Sequence, residues 1–260
     1  MKIATWNINS IRTRLVHIVN WLTENPVDVL CLQETKVVNA EFPQAPFETL
    51  GYHLYFSGQK SYNGVAILSR QPLEDVSYGF TPILSNIELD WDEQKRVITG
   101  VSDGIRIVNL YVPNGGSVGS EKYEYKLSWL KVLHEYLRSL LAVSPHICMC
   151  GDFNIALEAK DIHDNVATEN HIMASEPERQ ALQDILALGF ADAFRKFNTE
   201  GGHYSWWDYR AASFRRNLGW RIDHQYLTPN LYERAIGCTI DVAPRSLPQP
   251  SDHAPVIVEF

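Results

Sequence analysis

The chain has 260 residues, of which 23 are Lys or Arg and 31 are Asp or Glu, so its formal charge is −8. Hydrophobic residues make up 45% of the chain and aromatic residues 11%, which is typical of a soluble globular protein and excludes a disordered one. No apolar run reaches the roughly 18 residues that a membrane-spanning helix needs, so the sequence also excludes a transmembrane protein.

Short runs rich in apolar and β-branched residues predict a series of strands along the chain. They lie at residues 2–7, 27–33, 52–57, 64–69, 97–102, 105–112, 146–153, 203–207, 221–228, 235–241 and 256–260. Helical spacing of apolar residues marks 11–22, 127–141 and 181–188 between them. No linker or charge block divides the chain, so we expect one continuous α/β domain over residues 1–260.

The cysteines and the first residues bear on where the protein works. Cys31, Cys148, Cys150 and Cys238 fall mostly in strand-like runs, without a zinc spacing or a secreted disulfide framework, and are interpreted as reduced core residues. The apolar run at the N-terminus is too short for a signal peptide. We therefore expect a cytoplasmic protein.

Polar side chains recur where the predicted strands end, which is where α/β proteins tend to bind ligands. These residues are Asn7, Glu34, Tyr111, Asn114, Asp152, Asn154, Asp223, Asp252 and His253. Each alone has an ordinary explanation as a turn former, a cap, a solvated strand end or a hydrogen-bonded histidine. Together, several carboxylates that need compensation and only one histidine favour Mg²⁺ or Mn²⁺ over zinc. The set therefore indicates metal-assisted hydrolysis of a phosphoester.

Eight motifs, in order along the chain, resemble those of one known family. They are Thr5-Trp6-Asn7-Ile8-Asn9, Leu32-Gln33-Glu34-Thr35-Lys36, Gly64-Val65-Ala66-Ile67-Leu68, Asn109-Leu110-Tyr111-Val112-Pro113-Asn114, Gly151-Asp152-Phe153-Asn154, Trp207-Asp208-Tyr209-Arg210, Gly219-Trp220-Arg221-Ile222-Asp223 and Ser251-Asp252-His253. The set resembles the exonuclease III type of apurinic/apyrimidinic endonuclease, in the endonuclease, exonuclease and phosphatase superfamily. The resemblance implies an α/β four-layer sandwich of two mixed β-sheets flanked by helices.

The resemblance also implies a role for each polar residue at the strand ends. Glu34, helped by Asn7, would hold Mg²⁺ or Mn²⁺, and Asp252 would lie near the metal or the leaving group. Asp152 would activate or align the attacking water, which Asn154 would orient.

The remaining residues would act on the phosphate. His253 would contact the scissile phosphate and be held by Asp223, while Tyr111 and Asn114 would donate hydrogen bonds to phosphate oxygens. The sequence leaves open whether Asp152 or the Tyr111 phenolate is the general base, and whether one or two metal ions bind.

The expected substrate is duplex DNA, particularly at abasic sites. The segment 209–221 carries Arg210, Arg215, Arg216 and Arg221 without any acid, so it is a candidate for phosphate contact in an otherwise acidic protein. By the resemblance, Trp206, Trp220 and Ile222 line a pocket for an extruded abasic sugar. The alternative is a solvated loop whose tryptophans belong to the core.

We therefore predict a monomeric DNA repair nuclease that cleaves 5′ to an abasic site and has some 3′ to 5′ exonuclease activity. The sequence departs from that of some relatives at two places that bear on DNA binding. The loop after Asn114 reads Gly115-Gly116-Ser117-Val118-Gly119, without the basic side chain of some eukaryotic relatives, and Arg210 stands where some relatives carry an apolar wedge. The alternatives are a mainly exonucleolytic enzyme, a lipid phosphodiesterase of the superfamily and a noncatalytic DNA-binding protein.

Overall fold

The computed structural model describes residues 1–84, 87, 89–163 and 171–260. These residues form twelve strands, and six α-helices besides short 3₁₀ turns. The strands are β1 (Lys2–Asn7), β2 (Val29–Gln33), β3 (His53–Ser57), β4 (Val65–Ser69), β5 (Glu74–Tyr78), β6 (Val97–Ser102), β7 (Ile105–Tyr111), β8 (Ile147–Asp152), β9 (Ala191–Asp192), β10 (Asp223–Leu227), β11 (Gly237–Ile240) and β12 (Val256–Glu259). The helices are α1 (Ile11–Glu24), α2 (Ala45–Thr49), α3 (Glu121–Leu141), α4 (Glu176–Leu186), α5 (Ala193–Phe197) and α6 (Pro229–Arg234).

The strands form two mixed sheets of six. The first has the order β11-β12-β1-β2-β4-β3, and the second has the order β5-β6-β7-β8-β10-β9. Each sheet contains one parallel pair, β1 with β2 and β7 with β8. The carboxyl ends of the paired parallel strands therefore lie side by side in each sheet.

The two sheets pack face to face and helices cover their outer faces. One buried cluster contains Ile3, Cys31 and Ile67 of the first sheet together with Ile107, Cys148 and Leu227 of the second. On the outer face of the first sheet, Ile11 and Ile18 of α1 belong to the same cluster as Trp6. On the second, α3 and α4 pack against strands β7 and β8. This arrangement confirms the predicted four-layer sandwich.

Buried amides cross the interface and fix how the sheets lie on each other. The Gln33 amide nitrogen donates to Asn109 Oδ1 at 2.7 Å, and the Asn109 amide nitrogen donates to the Ala66 carbonyl at 2.8 Å. Gln225 donates to the Ile3 carbonyl at 2.9 Å. Because a buried amide without a partner is costly, these bonds favour one relative placement of the sheets.

Most predicted elements are confirmed, and the differences have physical reasons. The segment 203–207 is not a strand, because Trp206 makes only isolated bridges, to Trp220 and His253. The unpredicted strand β5 lies at a sheet edge with mixed, partly exposed side chains, and β9 has only two residues. The helices α3 and α4 begin earlier than the apolar spacing indicates, because their first turns are polar.

Two further expectations can be compared with the described residues. The four cysteines are buried and free, as predicted. No helix in the described ranges has both the length and the apolar character needed to cross a membrane.

Candidate active site

The candidate site lies where the carboxyl ends of β1 and β2 in one sheet meet those of β7 and β8 in the other. In the strand register Tyr111 lies beside Asp152, and Asp152 lies opposite Asp223 on β10. Gly151 makes the β7–β8 approach possible, because its φ is 143° and a Cβ there would lie 1.9 Å from the Leu110 carbonyl oxygen. The local backbone therefore requires glycine immediately before Asp152.

Three ionisable side chains converge at this edge. One ligand atom from each of Glu34, Asp152 and His253 lies within 4.8 Å of the other two. The amide nitrogen of Asn7 donates to Glu34 Oε1 at 2.8 Å and to Asp152 Oδ2 at 2.9 Å. Asn7 thereby joins the carboxylates of the two sheets, with its amide oxygen accepting from the Asn9 backbone N–H instead.

His253 is held by a second carboxylate. Its Nδ1 donates to Asp223 Oδ2 at 2.8 Å, and its Nε2 lies 3.8 Å from Asp152 Oδ2. Ser205 Oγ also donates to Asp223 Oδ2, at 2.7 Å. Burial lowers the pKa of His253, but Asp223 and Asp152 outweigh it and raise this pKa to about 10. The imidazole is therefore a cation at neutral pH.

The acids of the site have different proton affinities. Burial raises the pKa of Asp152 to about 7, against the opposing effect of His253. Burial also acts to raise the pKa of Glu34, but Lys36 and Asn7 outweigh it and lower that pKa. The pKa of Tyr111 is raised well above its ordinary value by burial, then by Glu34 and Asp152. The phenol is therefore protonated at neutral pH.

Two asparagines extend from Asp152 toward the loop after β7. The Asn154 backbone N–H donates to Asp152 Oδ1 at 2.9 Å, and the Asn114 amide nitrogen donates to Asn154 Oδ1 at 2.9 Å. Asn154 has a φ of 50°, and Glu34 has a φ of 53°. Such left-handed residues are uncommon outside glycine and concentrate at functional sites.

Asp252, the acid of the Ser251-Asp252-His253 motif, is expected near the metal or the leaving group, and the structure places its carboxylate against Trp206 and Asn9. Asp252 Oδ2 accepts from Trp206 Nε1 at 2.9 Å, and its Oδ1 accepts from the Asn9 amide at 3.0 Å. Its pKa is lowered, because His253 and these donors outweigh its burial. Both oxygens are thus engaged within the protein, and the carboxylate that the structure groups with Glu34 and His253 is that of Asp152.

The donor set suits a hard divalent cation. The carboxylate oxygens of Glu34 and Asp152 are the ligand type that such ions prefer. Among the residues that the structure describes, no cysteine belongs to this group. The Lys36 ammonium already lies 2.6 Å from Glu34 Oε2 and 2.6 Å from Asn9 Oδ1. A positive group is therefore accommodated on this carboxylate.

Trp206, Trp220 and Ile222, expected to form the sugar pocket, do lie together. They belong to one apolar cluster with Ile162 and Met173. Trp220 is 4% exposed and Ile222 is 1% exposed. The ring of His171 lies 4.8 Å from that of Trp220.

The arginines expected to contact DNA separate into two groups. Arg215 is exposed, and Arg210 is 88% exposed and paired with Asp208. In contrast, the Arg221 side chain is 1% exposed, and its guanidinium donates to Asp161 at 2.7 Å and to Asp192 at 2.8 Å. Its interior position and its two ion pairs remove Arg221 from the candidate DNA-contact residues.

The sequence did not assign a role to Asn9, Lys36 or Ser205, although each contacts a site carboxylate. Asn9 and Lys36 stand two residues after Asn7 and Glu34, in motifs already recognised, and that spacing was an available signal. Ser205 had no such signal, because its position depends on the irregular segment that replaces the predicted strand 203–207.

Comparison with known proteins agrees with this geometry. The sequence profile of the Endonuclease/Exonuclease/phosphatase family matches residues 4–253. Exodeoxyribonuclease III of Haemophilus influenzae is 34% identical over 274 residues, covering 100% of both chains. An AP endonuclease from Archaeoglobus fulgidus is 44% identical with a TM-score of 0.94, covering 100% of this chain and 99% of that one. The Neisseria 3′ phosphatase NExo, bound to a product DNA hairpin, is 41% identical with a TM-score of 0.95 and the same coverage. The chain therefore belongs to the Endonuclease/Exonuclease/phosphatase family.

Proposed function

We propose that this protein is a metal-dependent DNA repair nuclease that hydrolyses the phosphodiester 5′ to an abasic site in duplex DNA and also trims 3′ ends. The observation that carries the proposal is the convergence of Glu34 with the buried Asp152 and His253 where the two sheets meet. The names of the relatives, exodeoxyribonuclease III and AP endonuclease, support it. We propose a monomer, because these site groups come from one chain.

The protein's own groups supply a consistent route for hydrolysis. Asp152 would accept a proton as the water oxygen bonds to phosphorus and the bond to the 3′ oxygen breaks. The His253 imidazolium would stabilise charge on the phosphate oxygens, where the Tyr111 phenol would donate a hydrogen bond. A bound Mg²⁺ on Glu34 would supply further neutralisation of the phosphate.

The two pKa shifts favour Asp152 over Tyr111 as the general base. A phenol whose pKa is raised well above its ordinary value holds its proton at neutral pH, and so serves as a donor. The carboxyl of Asp152 has a pKa of about 7, close to the working pH at which a general base is most effective.

Removal of the metal gives the first test. We expect incision of an abasic duplex to stop in excess EDTA and to return with Mg²⁺ or Mn²⁺, because carboxylate oxygens bind these ions strongly. Incision rates and circular dichroism are measured on the same metal-stripped sample, so that loss of fold is separated from loss of activity. Full activity after stripping, in excess EDTA, would contradict the proposed site.

DNA is favoured over a lipid phosphoester by the exposed arginine-bearing loop that includes Arg215 and Arg216. The corresponding test offers abasic duplex and a phosphoinositide to the same preparation. Turnover of the lipid without turnover of DNA would show that DNA is not the substrate class.

A mainly 3′ to 5′ exonuclease is the second candidate, and one observation favours it. Trp220 and Ile222 are almost fully buried, with the His171 ring against Trp220, so these two side chains present little open surface to a sugar. Rates on abasic duplex and on intact 3′-recessed duplex, measured in one preparation, distinguish the candidates. A much faster rate on the recessed duplex would make the exonuclease the principal activity.

Trp220→Ala tests the pocket directly. If the pocket rejects intact nucleotides by its shape, the substitution should lower abasic incision and narrow the ratio between that rate and cleavage at normal nucleotides. Arg215→Ala is the control for phosphate contact, and should weaken binding of both substrates and reduce its salt dependence. A folded Trp220→Ala protein with an unchanged ratio would show that the pocket is assigned incorrectly.

A further inference from the structure

A fully buried lysine outside the proposed catalytic groups contacts the backbone beside them. Lys126 on α3 has no exposed surface. Its Nζ donates to Glu178 Oε1 at 2.5 Å, to the Asn154 carbonyl at 2.7 Å and to the Asn114 carbonyl at 3.2 Å. An ammonium group has three protons, so each one has an acceptor here.

Two of these acceptors belong to the asparagines that extend from Asp152. Asn154 adopts a left-handed conformation, with φ at 50°, and its carbonyl accepts a bond from the interior lysine. A buried carbonyl without a donor is strongly disfavoured. Lys126 therefore supports the turn that places the Asn154 N–H on Asp152 and the Asn154 amide oxygen on Asn114.

The loop after β7 passes close to the same lysine. Gly115 has a φ of 91°, and a Cβ at this position would lie 3.1 Å from Lys126 Cδ and 3.0 Å from Ile172 Cδ1. The backbone next to Asn114 is thus packed directly against the lysine stem.

Glu178, the partner of Lys126, is itself hydrogen-bonded to the segment that precedes α4. Its Oε1 accepts from the Met173 backbone N–H at 3.1 Å, and its Oε2 accepts from Ser175 Oγ at 2.6 Å. Tyr123 on α3 also hydrogen bonds with Ser175, at 2.8 Å. Met173 packs in the cluster of Trp220. The Lys126–Glu178 ion pair therefore connects the turn at Asn154 to the chain at Met173, which packs in the apolar cluster of Trp220.

We propose that Lys126, paired with Glu178, is a positioning residue that holds the Asn114 and Asn154 turns and thereby aligns Asp152 with the phosphate. The proposal rests on the proposed nuclease function for its kinetic consequence. It concerns no direct contact of Lys126 with substrate. A merely structural ion pair would instead stabilise the fold without affecting the chemical step.

The main test is a charge-neutral replacement, Lys126→Met with Glu178→Gln, which removes the lysine donors without leaving a lone buried charge. We expect kcat on abasic duplex to fall by roughly tenfold or more, with KM changed by less than about twofold, because the loss is one of alignment. Arg106→Met is the matched control, since Arg106 is a buried cation at the other end of β7. It should lower the melting temperature and leave kcat unchanged.

A double-mutant cycle separates positioning from stability. In an Asp152→Asn background, the Lys126→Met and Glu178→Gln replacement should lower kcat by less than about twofold, because the carboxylate that Lys126 is proposed to align has already been removed. Full additivity of the two losses, measured well below the melting temperature, would overturn the proposal.

Hydrogen exchange without substrate gives a readout that does not depend on the nuclease assignment. Amides in 114–116 and 153–156 should exchange faster in the Lys126→Met and Glu178→Gln variant, while those of β1 remain protected. Unchanged exchange in both loops would overturn the proposal. An inactive wild type with faster loop exchange in the variant would instead reject the proposed function. It would still support the claim that the Lys126–Glu178 pair holds the two turns.

Discussion

Asp152→Asn is expected to lower kcat for hydrolysis of abasic duplex by roughly two orders of magnitude or more, with DNA binding largely retained. The amide keeps the shape of the carboxylate and an oxygen to accept a bond, but it cannot take a proton from water. Single-turnover kinetics with saturating enzyme measure the chemical step, and binding of uncleaved duplex is measured separately.

The control for this variant is Asp75→Asn, which changes an exposed carboxylate on the same sheet, next to Arg106. It should leave kcat unchanged. Near-normal turnover of Asp152→Asn, with the fold intact by circular dichroism, would remove Asp152 from the role of base. Tyr111→Phe would then be the decisive variant, because the phenol is the other candidate.

His253→Ala is expected to reduce kcat by a similar roughly hundredfold factor, because it removes a preorganised cation from the phosphate. It should also change the pH dependence. Burial raises the pKa of Asp152 to about 7 and His253 opposes that rise. Without the cation this pKa increases further, so the fall in kcat toward acid should begin at a higher pH than in the wild type.

Two companion variants define what the His253 result means. Asp223→Asn should reproduce part of the loss, because Asp223 holds Nδ1 and is the main group that raises the pKa of His253. His17→Ala, on α1, should leave both kcat and the pH profile unchanged. A wild-type pH profile in His253→Ala would show that His253 does not act electrostatically on Asp152.

The sequence predicted a large part of the fold because strands and helices depend on local periodicity. Regular alternation and apolar runs placed most strands within one or two residues of their observed bounds. The four-layer class was implied by the family resemblance that the ordered motifs carry. Periodicity did not reveal β5 or β9, since an exposed edge and a two-residue strand carry almost no hydrophobic pattern. Periodicity also predicted a strand at 203–207 that does not form, because Trp206 pairs only through isolated bridges with Trp220 and His253 and not along a sheet.

Most polar residues that the structure brings together at the site were also identifiable in the sequence, because they stand next to predicted strands in recognisable motifs. Ser205 was not, because no motif marks it. What the sequence determined was therefore which strands form and which side chains are available. It could not determine which of them meet. Asn7 and Glu34 come from one sheet and Asp152 from the other, so their contacts depend on how the two sheets lie on each other, which buried amides such as Gln33 help to fix.

Packing between segments also decided the positions of two side chains whose partners the sequence could not indicate. Arg221 belongs to a basic segment in the sequence, yet its side chain turns inward to two aspartates that are distant along the chain. Asp252 is next to His253, yet its carboxylate faces Trp206 and Asn9. Local spacing fixes the direction of successive side chains along a strand, but the partner of each charge is set by packing between segments. Only the tertiary structure decides that, because the free energy of a buried charge depends on the groups that surround it.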